Sequence, residues 1–299
     1  MIAFYGYPDD APLARAVDAA READIEHVVI DQHRLDRHDL VTEVTGDSGG
    51  FLRAWGTRLP LSRITAVYAR PLEPGAASAD PAARARAVAF HRAFTDWLDS
   101  TASRVVNRPR AMESNASKPY QAQLIARTGF LVPDTLVTNV PDEVREFRAQ
   151  HGRIVYKSLS AVRSIVREFD DEDERRLERI RALPTQFQAY VPGRDVRVHT
   201  VGGRVFATAV DCEATDYRYA ARDGMPVEMS TYRPPDDVAE RCVRLSAALG
   251  LLLAGIDLRL RPDGRWVCFE VNPMPAFSYF ESLTGLPISE AVVRLLRET

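Results

Sequence analysis

Lysine is almost missing from this chain. Its 299 residues include 39 basic side chains, and all but two of these, Lys118 and Lys157, are arginine. Cysteine is scarce too. Cys212, Cys242 and Cys268 are odd in number and lack CxxC spacing, which argues against a disulfide framework or thiolate metal site and fits a reducing compartment. The longest apolar run, Leu249 to Ile256, is interrupted by Gly250 and Gly255 and falls far short of the roughly 18 residues a membrane span needs. Met1-Ile-Ala-Phe-Tyr-Gly-Tyr7 carries no basic segment, so it reads as a first strand rather than a signal peptide, and the expected location is the cytoplasm. With 42 acidic residues and a net charge of −3, no basic field exists to hold nucleic acid or an anionic membrane. No GxGxxG follows the first strand, no GxSxG occurs, and His27, His33, His38, His91, His151 and His199 show no HxxxH or HExxH spacing. These absences count against a dinucleotide fold, a serine nucleophile and a zinc hydrolase. Repeats and low-complexity tracts are absent as well.

What is present is ordinary globular material, 45% hydrophobic and 27% charged, of a length that suggests about two domains. The two lysines carry more information. A chain that has drifted to arginine keeps lysine either by chance on its surface or where a compact three-donor ammonium cannot be replaced by a planar fork.

The first third alternates strand and helix: strand Ile2–Tyr5, helix Pro12–Ala23, strand Glu26–Asp31, strand Thr65–Arg70, helix Pro81–Ser100 and strand Arg104–Asn107. In the second helix Phe90, Phe94, Trp97 and Leu98 fall at helical spacing. The alternation predicts a small parallel sheet, with Pro71–Pro81 as an exposed loop. Arg70, at a strand's carboxyl end, is a candidate for a substrate carboxylate or a salt-bridged surface arginine. A second module opens with Ser117 as N-cap of a helix from Lys118 to about Thr128. Strand Thr135–Thr138, helix Asp142–His151, strands Arg153–Ser158 and Ser164–Phe169, a helix Asp171–Ala182 with acids at its N-terminus, and strand Thr185–Val191 follow. The last third predicts a hairpin around Gly202-Gly203, a helix Asp237–Ala248, and a closing hairpin, Gly255–Arg261 with Arg265–Val271, around Pro262-Asp263-Gly264. His199 lies on the first of these hairpins, more a structural residue than a ligand. Phe277, Tyr279 and Phe280 are expected to pack the C-terminal helix Ile288–Arg297.

The closing hairpin carries the sharpest chemistry. With Asp263-Gly264 as a two-residue turn, Asp257 faces Glu270 across the strands, and Arg259 and Asn272 share their face. Ile256, Leu258, Phe269 and Val271 then point to the core. Opposed carboxylates repel unless something positive lies between them. Arg259 is one such cation, giving a plain ion-pair network; Mg²⁺, for which two carboxylates and an amide are suitable hard donors, is the other.

Phe269-Glu270-Val271-Asn272-Pro273, preceded by Gly255-Ile256-Asp257, resembles the metal-binding end of the ATP-grasp superfamily. Upstream, Lys118 to Pro133 resembles the opening of the family's central domain. Val155-Tyr-Lys157 resembles its second phosphate-contacting lysine, and Phe187-Gln-Ala-Tyr-Val191 its adenine hinge; Asp195-Val-Arg197, Val201–Phe206 and Asp216-Tyr-Arg218 follow in the family's order. Both lone lysines therefore land on phosphate-contacting positions. The nearest resemblance is to ribosomal-protein glutamate ligases and, more so, to peptide-macrocyclising maturases of the microviridin (graspetide) type.

The resemblance implies an α/β fold, α+β in its C-terminal parts, with an N-terminal βα pre-grasp domain (1–107) and central (108–188) and C-terminal (189–299) modules clasping ATP. It places adenine at Ala189, Tyr190 and Val191, ribose near Asp195, phosphates at Lys118, Lys157 and Arg218, and Mg²⁺ (or Mn²⁺) on Asp257, Glu270 and Asn272. Lys157, Arg197 and Arg259 are the catalytic candidates, either arginine steadying a tetrahedral intermediate. A carboxylate would be activated as an acyl phosphate and coupled to an amine or hydroxyl acceptor, on a small molecule or a peptide. Three readings stand: a two-substrate amide ligase, a peptide macrocyclase forming ester or amide links, and a non-catalytic nucleotide-binding partner protein. The last is suggested by the glycine-free stretch Ser158–Ser164 and by Ala189, where relatives often carry Glu. Pro273-Met-Pro-Ala276 also lacks the family's frequent glycine, which points to an altered substrate side. A homo-oligomer is expected from the family, and a neighbouring gene for a Thr/Ser- and Asp/Glu-rich peptide would favour maturation.

Overall fold

The computed structural model describes residues 1–43, 49–54, 56–74, 80–158, 166–212 and 226–298. Arg218, with Asp216 and Tyr217, and the stretch 159–165, with Arg163, lie outside the described residues.

The expected parallel sheet is present. Strands β1 (Ile2–Gly6), β2 (His27–Asp31), β6 (Ala66–Ala69) and β7 (Arg104–Val106) are ordered β2-β1-β6-β7 and run parallel. β1 and β6 are buried at every position, as apolar strands covered on both faces must be. Helix α1 (Ala11–Glu22) starts where the Asp10 side chain accepts the Leu13 N–H, with Pro12 in the first turn. Helix α2 (Pro81–Ser100) starts the same way on Asp80 and buries Phe90, Phe94, Trp97 and Leu98. Over residues 39–60 the sequence shows no assignable element. This stretch forms a three-stranded antiparallel sheet of β3 (Asp39–Thr42), β4 (Gly50–Ala54) and β5 (Thr57–Pro60). These strands are four or five residues long and bury few side chains, so they carry no usable alternation.

After a short helix α3 (Pro109–Met112), helix α4 (Lys118–Arg127) begins as expected, although the Ser117 side chain caps no N–H. A second sheet, ordered β10-β9-β11-β8, contains β8 (Thr135–Thr138), β9 (Ile154–Ser158), β10 (Arg167–Glu168) and β11 (Thr185–Ala189), with helix α5 (Pro141–His151) against it. The helix expected over Asp171–Ala182 is broken. α6 (Asp171–Arg175) opens with a capping box between Asp170 and Asp173, the chain leaves helical geometry at Arg176, and Leu177–Ala182 forms a tighter turn that delivers Leu177 to the core.

The third sheet is antiparallel and ordered β14-β13-β12-β15-β16: β12 (Arg194–Val201), β13 (Arg204–Asp211), β14 (Glu228–Tyr232), β15 (Leu253–Leu260) and β16 (Trp266–Asn272). Helix α7 (Asp236–Ala248) packs on one face, where Val196, Val198, Ile256, Leu258 and Cys268 meet Leu245 and Cys242. Burial pushes both thiols up, Cys242 to about 12, so they behave as core apolar groups. Helices α8 (Phe277–Thr284) and α9 (Ile288–Arg297) cover the first sheet: Phe277, Ile288 and Val292 share a core with Ile2, Phe4 and Leu13. Among the described residues no helix is long and apolar enough to cross a membrane.

The closing hairpin corrects the expected register twice. Its turn holds three residues, Pro262-Asp263-Gly264, since the Arg261 N–H bonds the Arg265 carbonyl at 2.9 Å and Gly264 has φ +80°. That is the three-residue hairpin with a left-handed third position. Between Asp257 and Leu258 the register then slips back by one: Leu258 faces Cys268, while Asp257 still faces Glu270. Two one-residue displacements cancel. Cys268 therefore replaces Phe269 in the core, and Phe269 lies half-buried below Arg259, whose guanidinium carbon is 5.1 Å from the ring centroid.

Candidate active site

Arg197 on β12, Asp257 on β15 and Glu270 on β16 form one row across three adjacent strands. Strand alternation puts the three side chains on the face opposite the α7 core. Arg197 Nη1 donates to Asp257 Oδ1 at 2.6 Å, and Lys118 Nζ, from the first turn of α4, stands 3.8 Å from Glu270 Oε2. Each of the opposed carboxylates thus has its own cation on its outer side, which offsets their mutual repulsion.

Arg259 is not that cation. It makes a bidentate pair with Asp195 at 2.7 and 2.8 Å and donates to the Val191 carbonyl at 2.8 Å. All three interactions are at the link from β11 to β12, so its side chain holds the hinge. The ion-pair reading of Arg259 with Asp257 and Glu270 is thereby corrected, because the guanidinium is engaged one register step away.

Arg197 is tightly held. Nε lies 3.4 Å from His199 Nε2, and the Phe280 ring lies 5.6 Å from the guanidinium carbon. Beneath it is Gly255, where an added Cβ would come within 2.0 Å of Nη2. Any larger residue would evict the guanidinium. His199 is fully buried, and desolvation together with the neighbouring Arg197 charge pushes its pKa well below the usual histidine range. It is neutral, and it has the structural place expected of it.

Asn272 is paired with Gly255 on the same face, two residues beyond Glu270. Its Oδ1 accepts the Met274 N–H at 2.9 Å, which fixes the amide. Lys157 belongs to another sheet: it is buried on β9, directly across from Gln186 of β11. In the hinge, the Ala189 N–H bonds the Asp134 carbonyl and the Tyr190 N–H the Arg153 carbonyl, both at 2.9 Å. Arg153 also stacks over the Tyr190 ring at 3.8 Å. Among the described residues no protein acceptor meets the Val191 N–H. Gly193, at φ +143°, lets the chain turn past the Leu260 carbonyl, 2.2 Å from where a Cβ would be.

No cluster of three or more His, Cys, Asp or Glu side chains forms a metal cage among the described residues. Two carboxylates and an amide oxygen on one sheet face are hard donors that fit Mg²⁺ when phosphate oxygens complete its shell. The two acids stand in the middle of the row, with an ammonium and a guanidinium group at its flanks.

Three important residues escaped the sequence reading. Asn107 is buried, and its amide makes four bonds: Nδ2 to the Leu253 and Pro273 carbonyls at 2.6 and 2.7 Å, and Oδ1 from the Leu252 and Leu253 N–H groups at 2.8 and 3.1 Å. Gln121 is buried against Val271, and Gly255 makes room for Arg197. A polar residue closing the apolar run Val105-Val106 was the one available hint for Asn107. Arg70 pairs with Asp10 and donates to the Pro275 carbonyl at 3.1 Å. It is neither free for a substrate carboxylate nor on the surface; it ties the first sheet to the segment after β16. Phe277 and Phe280 pack as expected, whereas Tyr279 is 46% exposed.

Among curated proteins, human beta-citrylglutamate synthase B is 28% identical over 216 residues, covering 64% of this chain and 52% of its own. The ribosomal protein bS6–L-glutamate ligase of Salmonella paratyphi B is 26% identical over 201 residues, covering 63% of this chain and 66% of its own. The chain thus spans about half the length of the first of these relatives. Two solved structures align nearly end to end. The ATP-grasp ligase PsnB, complexed with a phosphomimetic variant of its minimal precursor, Mg and ADP, has a TM-score of 0.81 and 28% identity over 99% of this chain and 97% of that one. The macrocyclase MdnC of Microcystis aeruginosa MRC, bound to its precursor peptide MdnA, has a TM-score of 0.83 at 21% identity, covering 100% and 99%, and shares the fold. Residues 116–296, well over half the chain, match the RimK-like ATP-grasp domain, and the protein belongs to that family.

Proposed function

We propose that the protein is an ATP-dependent ligase that activates a carboxylate as an acyl phosphate and couples it to an amine, the substrate being an amino acid or a peptide. The observation that carries this reading is the row Arg197–Asp257–Glu270 with Lys118 beside its far end. Asp257, Glu270 and Asn272 hold Mg²⁺, which supplies charge neutralisation at the transferring phosphoryl group. Lys118 and Lys157 contact phosphates, where point charges are most useful. Arg218 remains a third phosphate contact in this reading. Adenine is read at Ala189, Tyr190 and Val191, with the Val191 N–H as the hinge donor left over by internal bonding, and the ribose lies near Asp195. Arg259 keeps Asp195 and the Val191 carbonyl in place. Arg197, fixed before substrate arrives, steadies the negative charge of the tetrahedral intermediate as the amine attacks; preorganisation of this kind lowers the barrier because no reorientation is needed during the reaction.

A second reading has its own support. PsnB and MdnC, which align with the first sheet as well as the ATP-grasp part, are complexes with precursor peptides, whereas the curated ligases match about two thirds of this chain. On that reading both reacting groups belong to one peptide, and the product is a side-chain ester or amide ring.

The test is Mg²⁺- and substrate-dependent ADP release, with mass spectrometry of any peptide encoded beside the gene. Loss of one water per link identifies the macrocyclase, and conjugation of a separate amine the two-substrate ligase. Glu270→Gln is expected to fold and to lose Mg²⁺-dependent turnover; full turnover in that variant refutes the metal assignment. Absence of ADP release with every substrate leaves only a nucleotide-binding partner protein.

A further inference from the structure

We propose that Gln121 is a positioning residue for the metal-binding strand. The inference rests on the assignment of Asp257, Glu270 and Asn272 to Mg²⁺. β16 is the edge of its sheet, so alternate residues point their backbone groups away from β15, and Val271 is one of them. An exposed edge leaves such groups to water or to a shifting partner. Here the buried Gln121 amide meets both: Nε2 donates to the Val271 carbonyl at 2.8 Å, and Oε1 accepts the Val271 N–H at 2.8 Å. One side chain does for Val271 what a neighbouring strand would do.

Two features turn this clamp toward the reaction. Val271 stands between Glu270 and Asn272, so its backbone sets where both donors sit. Gln121 lies three residues after Lys118 on α4, hence on the same helix face. The helix that delivers Lys118 to within 3.8 Å of Glu270 is therefore bolted to the strand one residue further on. Helix and strand move as one unit, and the spacing of the phosphate-binding ammonium from the metal-binding carboxylate is held constant. Groups that orient metal ligands from behind commonly change metal affinity by about 10–100-fold when removed.

Gln121→Met keeps length and helix preference but neither donates nor accepts usefully; Gln121→Asn is too short to reach both groups and serves if the Met variant does not fold. Mn²⁺ binding in the presence of ADP, read from the electron paramagnetic resonance of free Mn²⁺, is compared with the thermal midpoint and with metal-free ADP binding. The expected result is Mn²⁺ affinity lowered about 10-fold or more per folded molecule, with metal-free ADP binding within twofold of the parent. A variant with a lower midpoint and an unchanged Mn²⁺ constant has lost only a structural contact, and overturns the inference alone. A parent protein that binds no Mn²⁺ with ADP overturns the metal assignment and this inference with it.

Discussion

Gly255→Ala concentrates the geometry of the site into one methyl group. The added Cβ would lie 2.0 Å from Arg197 Nη2, 2.6 Å from its Cζ and 2.7 Å from Pro275 Cβ. Ordinary carbon contacts begin near 3.4 Å, so the guanidinium must retreat by about 1.4 Å. Its bond to Asp257 is 2.6 Å long and cannot survive that displacement. A charge-assisted bond of this kind contributes about 1.5–3 kcal/mol, and overpacking adds about 1–3 kcal/mol. Urea unfolding should therefore register a loss of roughly 2.5–6 kcal/mol. ADP release should fall about 100-fold or more, as when a preorganised transition-state donor is removed. The Arg197→Ala background separates the two causes. With the guanidinium gone, the two closest contacts of the methyl are lost and Pro275 Cβ at 2.7 Å remains, so Gly255→Ala should cost less there. An equal cost in both backgrounds, or an unperturbed Gly255→Ala protein, refutes the cage around Arg197.

Asn107→Ala should lower stability by about 3 kcal/mol or more, because four backbone groups lose one buried amide and each orphan costs about 1–3 kcal/mol; a loss below about 1 kcal/mol by urea unfolding would contradict the clamp. His199 makes stability depend on pH. Its folded pKa is depressed from 6.5, so the unfolded chain binds the extra proton first: the contribution is complete above about pH 6.5 and is lost as pH falls toward the folded value. The slope approaches about 1.4 kcal/mol per pH unit. His38 and His91, also depressed by burial, act with the same sign. His199→Gln should therefore flatten the acid side without abolishing it, and an unchanged slope would count against the buried neutral imidazole.

Legibility varied along the chain for physical reasons. Helix α2 and strand β8 were read to the residue because apolar spacing, an Asp-Pro start and short turns all agreed locally. The sheet β3-β4-β5 was invisible because only Leu52 and Ala54 of its short strands are buried, too few for a readable alternation. In the closing hairpin the opposition of Asp257 and Glu270 was foreseen correctly by a faulty route, since a three-residue turn and a bulge each displaced the register by one. One displacement alone would have put the two acids on opposite faces.

By itself, the amino-acid order determined which residue types carry charge: two ammonium groups in an arginine-rich chain, and a closing strand pair with one acid on each strand, ending in Glu-Val-Asn. Both are local properties of composition and alternation. Only the tertiary structure decided which cation serves which acid, giving Arg197 to Asp257, Lys118 to Glu270 and Arg259 to Asp195. It also decided that Asn107 and Gln121 bind the backbones of β15 and β16, each about 150 residues away. Such pairings depend on how helices and sheets dock, through contacts between distant segments for which no short-range spacing rule exists.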